Sequence, residues 1–158
     1  MAEYSFDSNI FIESWHRRYP RDIFPKLWDR IDELIDDGTI VATEEVKTEL
    51  DQKDDDVLAY VKQRPKLFEA VDDEQQEIVG DIINQFANEN WDILNSRKNK
   101  ADPYVIALAK AKGLTVVTFE RNGGPKKVKI PYVCANLSPI VPCIHMLDFM
   151  RRIGLTFT

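Results

Sequence analysis

Apolar positions along this chain recur with two periods, and the change from one to the other marks out its elements. Phe24, Leu27, Trp28, Ile31, Leu34 and Ile35 repeat at the spacing of a helix with one buried face, with Asp and Arg between them. Gly38 stands where that helix should stop, and Thr39 to Ala42 reads as a short strand. Thr43 then offers an N-cap, and Glu44 and Glu45 suit the positive end of the next helix. Val46 and Leu50 share one face of that helix, with Glu49 at the edge of the apolar stripe. Upstream, Tyr4 to Phe6 alternates as a short strand does, and Asp7-Ser8-Asn9 is a turn and helix entry. Ile10, Phe11, Ile12 and Trp15 give a short helix that ends near Arg17-Arg18.

Downstream, Asp54 to Arg64 reads as a helix cut by Pro65, and Asp73 to Asn88 as another through Ile78, Val79, Ile82, Ile83 and Phe86. Lys66 to Val71 fits neither period. The strongest pattern runs from Asn99 to Glu120. Asp102 before Pro103 predicts an N-cap and a first helical residue. Val105, Ile106, Leu108 and Ala109 make the helix apolar over most of its circumference, and Gly113 stops it. Leu114 to Phe119 is a β-branched run typical of a strand buried on both faces, with Glu120 at its carboxyl end. Arg121 to Pro125 is a turn, Val128 to Ile130 a strand, Tyr132 to Leu137 a short helix and Ile144 to Arg152 a closing helix. Helices alternating with short strands predict an α/β fold with a mainly parallel central sheet flanked by helices. At 158 residues the chain, 1–158, is expected to be a single domain.

Composition narrows the function classes. Apolar content of 44% with 30% charged residues is that of a water-soluble globular chain. No apolar run nears a membrane span and Met1 to Asp7 resembles no secretion signal, so a cytoplasmic protein without membrane contact is expected. Cys134 and Cys143 do not make a disulfide scaffold and read as small apolar groups; with His145 they lack a fourth partner for zinc. A net charge of −6 argues against a general, field-driven nucleic-acid binder but not against a nuclease whose acids are neutralised by metal. Basic residues cluster locally at Arg17, Arg18 and Arg21, at Arg97, Lys98 and Lys100, and at Lys126, Lys127 and Lys129; a solvated face is the default reading of each.

Four acids stand where this architecture would gather them: Asp7 after the first strand, Glu49 on the helix after the second, Asp102 at a helix start, and Glu120 after the next strand. Open α/β sheets bind ligands at the carboxyl ends of their strands. Clustered carboxylates are costly without a cation, and an all-oxygen set suits Mg2+ or Mn2+. Such an ion activates water and supports in-line displacement at phosphorus.

These residues resemble the motifs of the PIN-domain superfamily. Asp7-Ser8-Asn9 after a strand is similar to its opening, Val46 to Asp51 to its second motif, and Ala101-Asp102-Pro103 with Ile106 to Ala109 to its third. Gly113 to Thr118 followed by an acid is similar to its fourth. The tail from Lys129 to Phe157 resembles a small uncharacterised branch of that superfamily. The resemblance implies a PIN-like three-layer fold around a five-stranded parallel sheet. It further implies a Mg2+- or Mn2+-dependent ribonuclease, a hydrolase cutting RNA phosphodiester bonds. Many relatives are VapC-type toxins held by an antitoxin, and many form homodimers. Asp7, Glu49 and Asp102 would then hold the metal, with Glu120 assisting catalysis. Ser8, Asn9 and Thr118 would orient water or phosphate, and Arg97, Lys98 and Lys100 would contact RNA. Two departures stand out: the fourth motif ends Thr118-Phe119-Glu120 where Thr-Asn-Asp is usual, and Ser5 interrupts an apolar first strand. The other reading left open is a PIN-like binding or regulatory module with little nuclease activity, and Glu120 is the position that separates the two.

Overall fold

The computed structural model describes residues 1–94 and 100–157. Five short strands form one sheet: β1 (Tyr4–Phe6), β2 (Ile40–Thr43), β3 (Phe68–Glu69), β4 (Thr115–Thr118) and β5 (Cys143–His145). Their order is β3-β2-β1-β4-β5 and every pair is parallel. The chain moves outward from β1 through β2 to β3, then crosses back to lay β4 on the other side of β1. The order therefore reverses between β1 and β4, and a crevice opens at their carboxyl ends.

Eight α-helices flank the sheet among the described residues: α1 (Ser8–Glu13), α2 (Pro25–Asp36), α3 (Glu44–Lys53), α4 (Asp55–Lys62), α5 (Asp73–Gln85), α6 (Asp102–Lys112), α7 (Ile130–Ala135) and α8 (Met146–Arg152). The side chains of β1 show how the layers form. Tyr4 and Phe6 meet Phe149 of α8 edge-on, and Phe6 also meets Phe11 of α1. Ser5 points to the opposite face, where it is fully buried and donates a 3.0 Å hydrogen bond to the Val105 carbonyl of α6. The polar residue in the first strand thus has a partner in the helix that covers it, which removes most of the cost of burying a hydroxyl. α5 packs on α6 as an outer layer.

The strongest sequence patterns correspond to elements with small shifts. β1 and α2 fall where expected, and α6 ends at Gly113 in the left-handed conformation, φ +69°. Other expectations change. Ala101, not Asp102, is the N-cap of α6, with no side-chain capping bond, and Asp102 is the first helical residue. Val128 to Ile130 is no strand: the Val128 amide bonds to the Asn90 carbonyl in a loop, and Ile130 opens α7 with Pro131 in its first turn. Lys66 to Val71 contains β3. The expected helix from Ile144 begins at Met146, because Cys143–His145 pairs with β4, in register Val116 to Cys143 and Thr118 to His145. Nδ1 of His145 accepts the Leu147 amide at 3.2 Å and caps α8. No helix among the described residues is long and apolar enough to cross a membrane.

Candidate functional site

The crevice between β1 and β4 is built on Thr118, the last residue of β4. Its side chain is fully buried and faces Asp7, which follows β1 directly. The Asp7 amide continues the sheet by donating to the Val117 carbonyl at 3.1 Å, so the strand itself fixes where this carboxylate emerges. Thr118 Oγ1 donates to Asp7 Oδ2 at 2.9 Å and accepts the Glu120 amide at 3.1 Å. The other oxygen, Asp7 Oδ1, is buried with no hydrogen-bond partner among the described residues. Few native buried polar atoms are left in that condition.

Glu49 reaches the same region from α3. It is 6% exposed, on the inner edge of its helix and not on the solvent face. Ser8 Oγ donates to Oε1 at 2.8 Å, Lys53 Nζ lies 3.2 Å from the same oxygen, and the Ala101 amide donates to Oε2 at 3.1 Å. Asp102, 3% exposed, starts the helix whose N-cap amide holds Glu49. Glu120 is half-buried, and its Oε2 accepts the Ile130 amide at 2.8 Å.

These charges feel one another. Burial, reinforced by repulsion from Glu120 and Glu49 and opposed by Thr118, pushes the Asp7 carboxyl up to about 7. Burial and then repulsion from Asp7, Glu120 and Glu49 hold the Asp102 carboxyl well above the usual carboxylate range. Yet among the described residues no three acidic, histidine or cysteine side chains are drawn into a ready-made ligand set. Glu49 is held by its own donors and Glu120 by a backbone amide, so the acids surround the crevice without closing on a common point.

Asp102 and Glu120 line a cavity of about 200 Å³ with Asn90, Trp91, Lys126, Lys127 and Lys129. Glu49 and Lys100 line a smaller one of about 70 Å³ with Thr48 and Gln52. Of the supporting residues expected from sequence, Ser8 and Thr118 bond directly to the acids, Asn9 is half-buried in the first turn of α1, and Lys100 is exposed beside Glu49. Arg97 and Lys98 lie outside the described residues. Sequence reasoning missed two features. Lys53 partners Glu49, a pairing its spacing of four from Glu49 could have flagged. The lysines at 126, 127 and 129, read as a solvated face, form a wall of the larger cavity. Cys134 is buried and Cys143 half-buried, both as free thiols, and Nδ1 of His145 caps α8.

A family model described as a domain of unknown function (DUF4411) matches residues 4–157. No functionally described protein matches the sequence. The fold is similar to a chain of the DNA-bound VapBC structure from Salmonella typhimurium, with TM-score 0.58 and 15% identity over 92% of this chain and 98% of that one. It is also similar to a chain of VapBC2 from Rickettsia felis bound to a promoter DNA fragment, with TM-score 0.52 and 13% identity over 90% of this chain and 97% of that one. The chain thus shares the α/β, PIN-like fold of these VapBC chains.

Proposed function

We propose, from the premise that the chain belongs to the DUF4411 family and has a VapC-type fold, that it is a metal-dependent endoribonuclease and the toxin of a toxin–antitoxin pair. The observation that carries this reading is the buried, unpartnered Oδ1 of Asp7 amid three further carboxylates at the sheet's switch point. An all-oxygen donor set with one orphaned lone-pair site fits a hard divalent cation such as Mg2+ or Mn2+. Asp7, Glu49 and Asp102 would hold it, with Glu120 assisting directly or through water. A bound ion would supply an activated water and charge stabilisation at phosphorus. The chain's own residues do the rest. Thr118 fixes the Asp7 carboxylate by one oxygen and leaves the other without a hydrogen bond among the described residues. Ser8 and the Ala101 amide fix Glu49, and the Ile130 amide fixes Glu120. In this reading the site works in the cytoplasm on single-stranded RNA, and an antitoxin restrains it, as the VapBC neighbours would suit.

One observation favours the second reading, a binding module with little nuclease activity. Lys53 already neutralises Glu49, and the Ile130 amide already engages Glu120. Calorimetry with Mg2+ and Mn2+ on the wild type and Asp7→Asn, alongside cleavage of an unstructured RNA pool, divides the two. The nuclease reading expects metal binding and chelator-sensitive cleavage, both lost in Asp7→Asn. Cleavage that persists in Asp7→Asn or in saturating chelator would refute it. Expression without a partner should arrest growth, and Asp102→Asn should relieve the arrest.

A further inference from the structure

The stretch that brings lysines into the acids' cavity is a built loop, not a loose run of lysines. Asn90 grips it three times. Its amide donates to the Pro125 carbonyl at 2.8 Å, its side-chain Nδ2 donates to the Lys126 carbonyl at 2.8 Å, and its carbonyl accepts the Val128 amide at 2.9 Å. Gly124 and Lys127 exchange reciprocal 3.1 Å amide–carbonyl bonds. Val128 is buried and anchors the loop beside the cavity that it lines with its lysine neighbours. Gly123 takes φ +102°, and a Cβ there would lie 2.7 Å from Lys129 Cβ, so the turn can close only around glycine. The loop then returns to the acids, because its last amide, Ile130, donates to Glu120. Lys126, Lys127 and Lys129 thus line one cavity with Asp92, Asp102 and Glu120, and none of the three is in an ion pair among the described residues.

We propose that this loop is the phosphodiester-binding wall of the site: it grips the backbone of a single-stranded RNA through Lys126, Lys127 and Lys129, beside the acids. The inference rests on the nuclease reading and assigns its substrate contact. A cavity of about 200 Å³ has room for a phosphate and its sugar. Its lining asks for an anion at the lysines and for hydrogen-bond donors at the carboxylates. An RNA strand offers both in each repeat, a phosphate for the lysines and a 2′-hydroxyl for the carboxylates. An acidic peptide would set its own carboxylates against Asp102 and Glu120.

The test uses a labelled oligouridylate and the full-length chain in chelator, so that binding is read without cleavage, over a range of salt. Each lost phosphate contact to a single strand reduces the slope of log K against log salt by about 0.7. The triple variant Lys126→Gln, Lys127→Gln, Lys129→Gln should therefore bind at least about tenfold more weakly at low salt, with a slope smaller by about 2. The matching triple Lys→Arg variant keeps the charge and should recover most of the affinity. With metal restored, the loss in cleavage should fall on KM before kcat. Wild-type affinity and slope in the Gln variant, no recovery with Arg, or no RNA binding by the wild type would each overturn the proposal. So would loss of hexaglutamate binding with RNA binding intact, which would assign the loop to a protein partner. Lysine-dependent RNA binding without metal-dependent cleavage would uphold the loop and sink the nuclease reading; cleavage indifferent to the lysines would do the reverse.

Discussion

Removing the charge of Asp7 should stabilise the metal-free protein. The carboxyl is fully buried, ordinarily titrates near 3.8 and is pushed up to about 7, first by burial and then by Glu120. A group that binds its proton more tightly folded than unfolded favours folding most below its unfolded value. That contribution is lost as pH rises from about 4 towards 7. About three units at about 1.4 kcal/mol each put the cost to the wild type at pH 8 at no more than about 4 kcal/mol. Asn at this position carries no such charge and can still accept the Thr118 hydroxyl. For a domain of this size about 1 kcal/mol moves Tm by about 2–4 °C. Asp7→Asn should therefore melt above the wild type at pH 8 in chelator, by up to about 8–16 °C, and the gap should close towards pH 4. Millimolar Mg2+ or Mn2+ should raise the wild-type Tm and leave the variant unmoved, since a ligand stabilises only the state that binds it. Melting curves in chelator and in metal at two pH values suffice. A variant that melts at or below the wild type at pH 8 without metal, or a gap that widens on acidification, would refute the account of a strained acidic centre.

Three further outcomes are expected. Glu120→Gln keeps an acceptor for the Ile130 amide and should leave Tm within about 1 °C, while RNA cleavage falls, though by less than in Asp7→Asn. Gly123→Ala forces a side chain into a left-handed backbone position against Lys129; oligouridylate affinity should drop with little change in global unfolding by denaturant. Asp32, remote from the crevice, tests the opposite pH sign. Burial alone would raise its carboxyl, but hydrogen bonds from Arg64, Tyr60 and Arg21 outweigh that and hold it below its ordinary value. Its contribution is present above pH 4 and lost on acidification, so Asp32→Asn should cost about 2 kcal/mol in urea melts at pH 7 and less at pH 3, with cleavage per folded molecule unaltered.

The elements legible in the sequence were those that display a period or clear stops. α2 spans Pro25–Asp36 and shows three turns of its buried face; β1 alternates apolar and polar, and β4 is flanked by a glycine stop and an acid. β3 is Phe68–Glu69 and β5 is Cys143–His145, edge strands of half-buried residues with no such alternation. Their existence is decided by pairing with β2 and β4, which no local window contains. Val128 gave the reverse error: it is buried and β-branched, but its backbone is claimed by Asn90. The Asp102 reading failed by one residue, because Ala101 takes the N-cap and directs its amide to Glu49.

The acids were legible for a different reason from the lysines that share their cavity. Asp7 and Glu120 follow strands, and the carboxyl ends of neighbouring parallel strands lie side by side whatever the rest of the fold does. Lys126, Lys127 and Lys129 follow a turn, and nothing within the turn says where it points. That direction comes from Asn90, far away in sequence, and from the Ile130 amide closing on Glu120. Net charge pulled the same way: at −6 it discounts nucleic acid, yet it sums a field that the fold divides. Acids and lysines that line one cavity cancel in the sum and reinforce each other for a ligand that is anionic at one atom and a donor at the next. Local charge separation within the cavity, and not the total, is the quantity that bears on what this site can hold.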